Sequence, residues 1–266
     1  MTEIDDDPPL PRPWPRRRLL NIWVDDLTMD ELLQRLDAGV VCTANLDHLY
    51  LLQRNPEFFD AYRHADFITA DSKYIHWSLG WLGRPIRERV CGSDIVPAFC
   101  EHHRDNPNIK VFLLGAAPGV AQRARERINA RVAREIVVGA HGPSMRFVDD
   151  EQEIADVLQM VSTSGATALI VGLGAPKQEL WIHRYRGAMP GVKIFMGVGA
   201  TLDYEAGSVR RAPHWMRSAG LEWLHRVMTE PRRYWRRYLR DIEFFWLVAL
   251  DRLGLYRAPM FPKSGR

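Results

Sequence analysis

The sequence is short of cysteine, of long apolar runs and of the motifs that usually announce a cofactor. Its 266 residues hold three cysteines, Cys42, Cys91 and Cys100, with no CxxC pair. That argues against a disulfide framework and a thiolate metal site, and it fits a reducing cytoplasm. The longest uncharged apolar run near the C-terminus, Phe244 to Leu250, is seven residues, whereas a membrane span needs about 20. The acidic, proline-rich start contains no apolar signal segment, so no secretory leader is expected. Gly172-Leu173-Gly174 and Gly197-Val198-Gly199 fail to complete GxGxxG, because Lys177 and Leu202 occupy the last positions, and GxxxxGK[ST] does not occur. A nicotinamide dehydrogenase and a P-loop nucleotidase are both disfavoured. The nine histidines form neither HExxH nor a His/Cys zinc spacing. There is no DxD outside Asp5-Asp6-Asp7, and no repeat at solenoid periods.

What is present is an ordinary globule, 46% hydrophobic and 26% charged. The length suits one large domain or a domain with an appendage. The net charge of +3 hides an asymmetry. Residues 207–266 carry 13 Lys and Arg against 5 Asp and Glu, which leaves 23 against 28 in the first 206. A mildly acidic body with a strongly basic end predicts that the end meets phosphates.

Three segments follow. Residues 1–18 read as a disordered arm, acidic and then proline-rich, closed by Arg16, Arg17 and Arg18. Residues 19–206 alternate short apolar strands with helices. Leu19 to Val24 is the first strand. Thr28-Met29-Asp30-Glu31 is a capping box that opens a helix, which Gly39 closes. Further strands end at Thr43, Asp71, Gly115, Gly172 and Gly197. This alternation predicts a parallel sheet covered on both faces. Residues 207–266 read as a helical appendage rich in Trp, Tyr and Arg.

An open α/β sheet binds its ligand at the carboxyl ends of its strands. Polar and glycine residues recur there: Thr43 with Asn45, Asp71, Gly115, Gly174 with Gln178, and Gly199. The glycine loops could bring backbone N–H groups to a diphosphate at helix N-termini, or could be plain tight turns. Asp71 could be a general base or a helix N-cap. Arg89 could clamp an anion or lie exposed on a basic loop, while Asp94 reads as a cap for the next helix. Glu179 is accounted for by the helix dipole. Gln178 gains little from the dipole, which favours a hydrogen-bonding role. The missing DxD points to a mechanism without metal or other cofactor, in which arginines and helix dipoles do a cation's work. The run Arg232 to Arg240, continuing into Phe244-Phe245-Trp246-Leu247, suits an anionic membrane, nucleic acid, or simple packing on the core.

Taken together, several segments resemble one family. They are Thr43-Ala44-Asn45, Ala65-Asp66 through Asp71, Arg89-Val90-Cys91-Gly92-Ser93-Asp94, Gly174-Ala175-Pro176-Lys177-Gln178-Glu179, Gly197-Val198-Gly199-Ala200, Ala206-Gly207, Arg211-Ala212-Pro213, and Gly220 to Arg226 followed by Glu230-Pro231-Arg232-Arg233. In order, from about Leu19 to Tyr238, they resemble the WecG/TagA/CpsF bacterial glycosyltransferases, also called glycosyltransferase family 26. The resemblance implies a Rossmann-like α/β core and an appendage that completes the site at the membrane. It implies an inverting, metal-independent transfer from a UDP-sugar to a polyprenyl diphosphate-linked saccharide in cell-surface polysaccharide synthesis. The sugar would be N-acetylmannosamine, its uronic acid or glucose. It further implies a peripheral position on the inner face of the cell membrane, no nucleic acid partner, and room for a homo-oligomer.

By motif, Asp71 takes the catalytic-base position, with Thr43, Gln178 and Arg89 as further catalytic candidates. Asn45, Gly115, Gly174, Lys177 and Gly199 are substrate-binding candidates. Arg226, Arg233 and Arg236 fall where appendage arginines face the diphosphate. Ser72, followed by Lys73, departs from the glycine usual after the aspartate. The competing reading, resting on the basic tail and incomplete glycine loops, is a non-catalytic nucleotide or nucleic-acid binding protein.

Overall fold

The computed structural model describes residues 12–261. The first element is an antiparallel hairpin of β1 (Arg16–Leu19) and β2 (Ile22–Asp25), turned at Leu20 with φ 53°. The expected strand Leu19 to Val24 is therefore two strands, and Arg16 to Arg18 belong to a strand rather than to a disordered arm. Each arginine is held by a buried carboxylate. Arg16 pairs with Asp25 at 3.0 Å, Arg17 with Asp26 at 3.3 Å, and Arg18 with Asp251 at 3.3 Å. Asp251 lies far along the chain, so local sequence gave no hint of that anchor. Asp25 also takes the N–H of Ile68 at 2.6 Å, which docks the hairpin on the main sheet.

The capping box of Thr28 and Glu31 opens α1 (Met29–Arg35) as expected. Gly39 does not close that helix. It starts β3 (Gly39–Ala44) with φ 117°, and any side chain there would meet the Asp66 carboxylate. Then follow α2 (Leu46–Leu51), α3 (Pro56–Arg63), β4 (Phe67–Ala70), α4 (Lys73–Trp81), α5 (Gly92–His102), β5 (Val111–Gly115), α6 (Val120–Val132), β6 (Val137–His141), α7 (Glu151–Thr163), β7 (Ala168–Gly172), α8 (Lys177–Tyr185) and β8 (Ile194–Gly197). The six main strands are parallel, in the order β4-β3-β8-β7-β5-β6.

Side chains alternate across this sheet with period two. Phe112, Leu114, Leu169 and Val171 join Phe195 in the core on one face. Val111, Leu113, Ala168 and Ile170 join Ile194 and Met196 on the other. Both faces are covered, which is why the strands read as continuous apolar runs. The Rossmann-like α/β reading holds.

Beyond the sheet come α9 (Thr201–Glu205), α10 (His214–Ser218), α11 (Glu222–Thr229) and α12 (Pro231–Arg252). Helix α12 has two opposed faces. Asp241, Phe244, Val248 and Asp251 are buried, at spacings of three and four that make one stripe. Trp235, Leu239, Ile242 and Trp246 form the opposite, exposed stripe. Ion pairs run both ways between tail and body: Arg237 and Arg240 of the tail reach Asp47 at 3.3 and 3.4 Å, and Arg54 of the body reaches Glu243 of the tail at 2.6 Å.

Candidate active site

A cleft of about 990 Å³ opens at the carboxyl ends of β4, β3, β8 and β7, four adjacent strands, and is roofed by α11 and α12. Asp71 leaves β4 at its floor. Its backbone N–H bonds to the Ala44 carbonyl at 2.8 Å, and its own carbonyl accepts from Arg89 Nη1 at 2.9 Å. The N-cap of α4 is Ser72, whose hydroxyl accepts from the Tyr74 N–H at 3.2 Å. Asp71 is thus no cap for α4, and its Oδ1 instead accepts the Gly92 N–H at 3.0 Å, at the start of α5. Gly92 packs closely here: a Cβ would sit 3.2 Å from Thr43 Oγ1 and 3.3 Å from the Val198 backbone.

The Asp71 carboxyl is raised above its ordinary value, first by burial and next by the Glu222 charge, while Arg226, Arg89 and the Gly92 N–H pull the other way. A carboxylate so placed is a stronger base than a solvated one. Thr43 is buried and donates its hydroxyl to the Gly197 carbonyl at 3.2 Å, and Asn45 caps α2 by accepting the His48 N–H at 3.2 Å.

The glycine loops work differently from the expectation that they offer N–H groups to a diphosphate. Gly174 N–H and Gly199 N–H both donate to Gln178 Oε1, at 3.2 and 3.0 Å. Those two amides are already satisfied, and Gln178 is the residue that ties the β7 and β8 loops together. Gln178 Nε2 donates to Glu179 Oε1 at 2.7 Å. Both side chains pack on Gly197, where a Cβ would lie 3.1 Å from Gln178 Nε2 and 3.3 Å from Glu179 Oε1. Burial pushes the Glu179 carboxyl up to about 7, and its Oε2 has no hydrogen-bond partner among the described residues. The helix dipole therefore does not account for Glu179. His48 Nε2 stands 3.9 Å from it, and burial holds that imidazole down to about 3, so it is neutral.

The roof brings Arg226 and Glu222 into the cleft from α11, joined at 2.9 Å. Trp223 Nε1 donates to the Tyr74 hydroxyl at 2.9 Å and fastens α11 to α4. The pair could have been found in the sequence, since Glu followed by Arg four residues later is a favoured helical pair. Asp94 does not cap α5. It lies inside the first turn and is paired with Arg211.

Of the residues singled out from the sequence, Thr43, Asn45, Asp71, Arg89, Gly174, Lys177, Gln178, Gly199 and Arg226 all line this one cleft. Gly115 does not. It ends β5, two strands from β8, and packs so closely on β7 that a Cβ would lie 2.5 Å from the Gly172 backbone. Its glycine serves strand contact. The side chains of Arg233 and Arg236 lie outside the described residues.

A parallel α/β sheet with a carboxylate and guanidinium groups around one cleft fits an enzyme that handles phosphate-bearing substrates. The comparisons with known proteins narrow this. The pattern of the Glycosyl transferase WecG/TagA/CpsF family matches residues 17–258. The chain is 31% identical over 220 residues to an N-acetylglucosaminyldiphosphoundecaprenol N-acetyl-beta-D-mannosaminyltransferase of Bacillus spizizenii, covering 83% of this chain and 82% of that protein. A Staphylococcus aureus protein of the same name is 26% identical over 237 residues, covering 85% and 89%. The chain belongs to the WecG/TagA/CpsF family of glycosyltransferases.

Proposed function

We propose that this glycosyltransferase moves N-acetylmannosamine from a UDP-linked donor to a polyprenyl diphosphate-linked N-acetylglucosamine, in the building of a cell-surface polymer. The relatives' names supply the sugar and the lipid-linked acceptor. The observation that carries the reaction type is Asp71, with its raised carboxyl, on the floor of a cleft that Arg226 enters from the roof.

The acceptor hydroxyl attacks C1 of the donor sugar. Its oxygen forms the new glycosidic bond while the bond from C1 to the diphosphate oxygen breaks, and UDP leaves with the electron pair. The proton passes to Asp71, through the carboxylate oxygen not held by Gly92. A single displacement of this kind inverts the anomeric centre, so an α-linked donor gives the β linkage of the relatives' names. Charge that grows on the departing diphosphate is met by Arg226 and Lys177, and no divalent cation is required. Gln178 and Thr43 hold the loops that frame the donor, and Arg89 holds the backbone of Asp71. By the family resemblance alone, Arg233 and Arg236 are further candidates for binding the lipid diphosphate.

The lipid acceptor explains the exposed stripe of α12. No described helix is long and apolar enough to cross a membrane. The exposed Trp235, Leu239, Ile242 and Trp246 of α12 form a surface that lies on the inner face of the cell membrane.

The test offers the purified chain UDP-N-acetylmannosamine, the corresponding uronic acid and UDP-glucose, each with polyprenyl diphosphate-linked N-acetylglucosamine, in the presence of a chelator. UDP release with the first donor is expected. Silence with every donor, together with salt-dependent RNA or DNA binding that UDP-sugars leave unchanged, decides for the non-catalytic reading.

A further inference from the structure

The end of α8 remote from the cleft carries a second cluster of chemistry-bearing side chains. Asp60 of α3 and His183 of α8 meet at 3.2 Å, Oδ2 to Nε2. His64, which follows the last residue of α3, sets Nδ1 3.5 Å from Oδ1 of the same carboxylate. One donor atom from each of the three lies within 4.8 Å of the other two. None of them lines the cleft, and the transfer step uses none.

Two ligands on a tetrahedral zinc ion, each at about 2.0–2.1 Å, stand roughly 3.3 Å apart. The His183–Asp60 separation is close to that figure, and His64 stands slightly farther off, from the other oxygen of the same carboxylate. Two imidazoles with one carboxylate form a donor set that holds zinc-type ions and leaves a position for water. The His183 ring lies 5.2 Å from that of His64, centroid to centroid. Binding through His64 Nδ1 replaces the 2.9 Å contact of that atom with the Asp60 carbonyl. Arg186, a cation at this end, donates to the His64 carbonyl at 3.3 Å.

We propose that Asp60, His64 and His183 bind a divalent transition-metal ion of the zinc type, which staples α3 to α8. Helix α8 begins with Lys177, Gln178 and Glu179, so the staple restrains the element that delivers Gln178 to the glycine loops. The site is structural, and it stands whether or not the proposed transfer reaction is correct.

The experiment uses the full chain without a histidine tag, stripped with chelator and titrated with zinc chloride by calorimetry, with the melting temperature followed in parallel. One ion per chain and a rise in melting temperature are expected. His183→Gln and Asp60→Asn should each weaken zinc binding about 10-fold or more, while their metal-free melting stays near that of the wild type. Both side chains are only half-buried, so the fold tolerates the changes. Failure of zinc to bind at millimolar concentration overturns the proposal. So does binding that both variants leave undiminished.

Discussion

Gln178 donates its amide N–H to the carboxylate of Glu179, its neighbour in the chain, at 2.7 Å. That contact fixes which end of the amide points which way, so that Oε1 faces the N–H groups of Gly174 and Gly199. A residue with no obvious reason to follow a glycine turn thus becomes the joint between two strand-end loops. Gln178→Ala leaves both glycine N–H groups and the Glu179 carboxylate without their partner. Each unmade buried hydrogen bond costs about 1–3 kcal/mol. Transfer is expected to fall about 10-fold or more, with a raised KM for the nucleotide donor, as read by UDP release under steady state. An unchanged kcat/KM removes Gln178 from this role.

Glu179 makes stability depend on pH. Its carboxyl sits at about 7 in the folded chain against 4.5 ordinarily. Below pH 4.5 both folded and unfolded states hold the proton. As pH rises from 4.5 toward 7, the unfolded chain releases the proton before the folded one does, and this contribution to stability is lost. Glu179→Gln keeps an acceptor for Gln178 Nε2 and never ionises. Its melting temperature relative to wild type should therefore be higher at pH 8 than at pH 5. A difference that is flat with pH counts against a buried, protonated Glu179.

Asp71→Asn keeps an oxygen for the Gly92 N–H and loses the ability to take a proton. Transfer should drop roughly 10²–10⁴-fold, while calorimetric affinity for UDP stays within about two-fold, because the change removes a proton acceptor and no diphosphate contact. In the wild type the base must be ionised, so activity is present above its folded pKa and disappears as pH falls through it. Because that value is raised, the acid limb of kcat/KM should lie above the ordinary 3.8. Wild-type turnover by the asparagine variant excludes Asp71 as the base.

The membrane surface is best tested by point changes. Cutting the chain before Pro231 would also strip Phe244 and Val248 from the core, where each buried side chain is worth about 1.5–3 kcal/mol. Trp246 and Ile242 are 65% and 60% exposed on the opposite face. Trp246→Glu combined with Ile242→Glu should abolish most sedimentation with anionic vesicles and leave the melting temperature unchanged. Undiminished sedimentation removes this face of α12 from membrane contact.

The elements of the core were legible because they are locally encoded. The capping box at Thr28 and the apolar strand that runs into Asp71, Phe67–Ala70, both read true. The hairpin at Arg16 was not legible, because three arginines look like a solvated arm until Asp25, Asp26 and Asp251 are brought to them. Gly115 misled for a related reason. It has the same strand-end signature as Gly174 and Gly199, and only the order of strands reveals that β5 lies beyond the cleft. Glu179 hid behind a sufficient local explanation, the helix dipole, which took no account of its burial.

By itself, the sequence determined the alternation of strands and helices and the polar and glycine residues that gather at the strand ends, because hydrophobic period and capping act over a few residues. It also determined that the positive charge is concentrated at one end of the chain. The tertiary structure alone decided which strand ends share a cleft, that Gln178 turns inward to bind two loops, and that Arg226 meets Asp71 across that cleft. Those outcomes depend on the lateral order of strands and on distant helices packing over them. No short-range pattern carries that information, because the contacts that fix it join residues far apart in the chain.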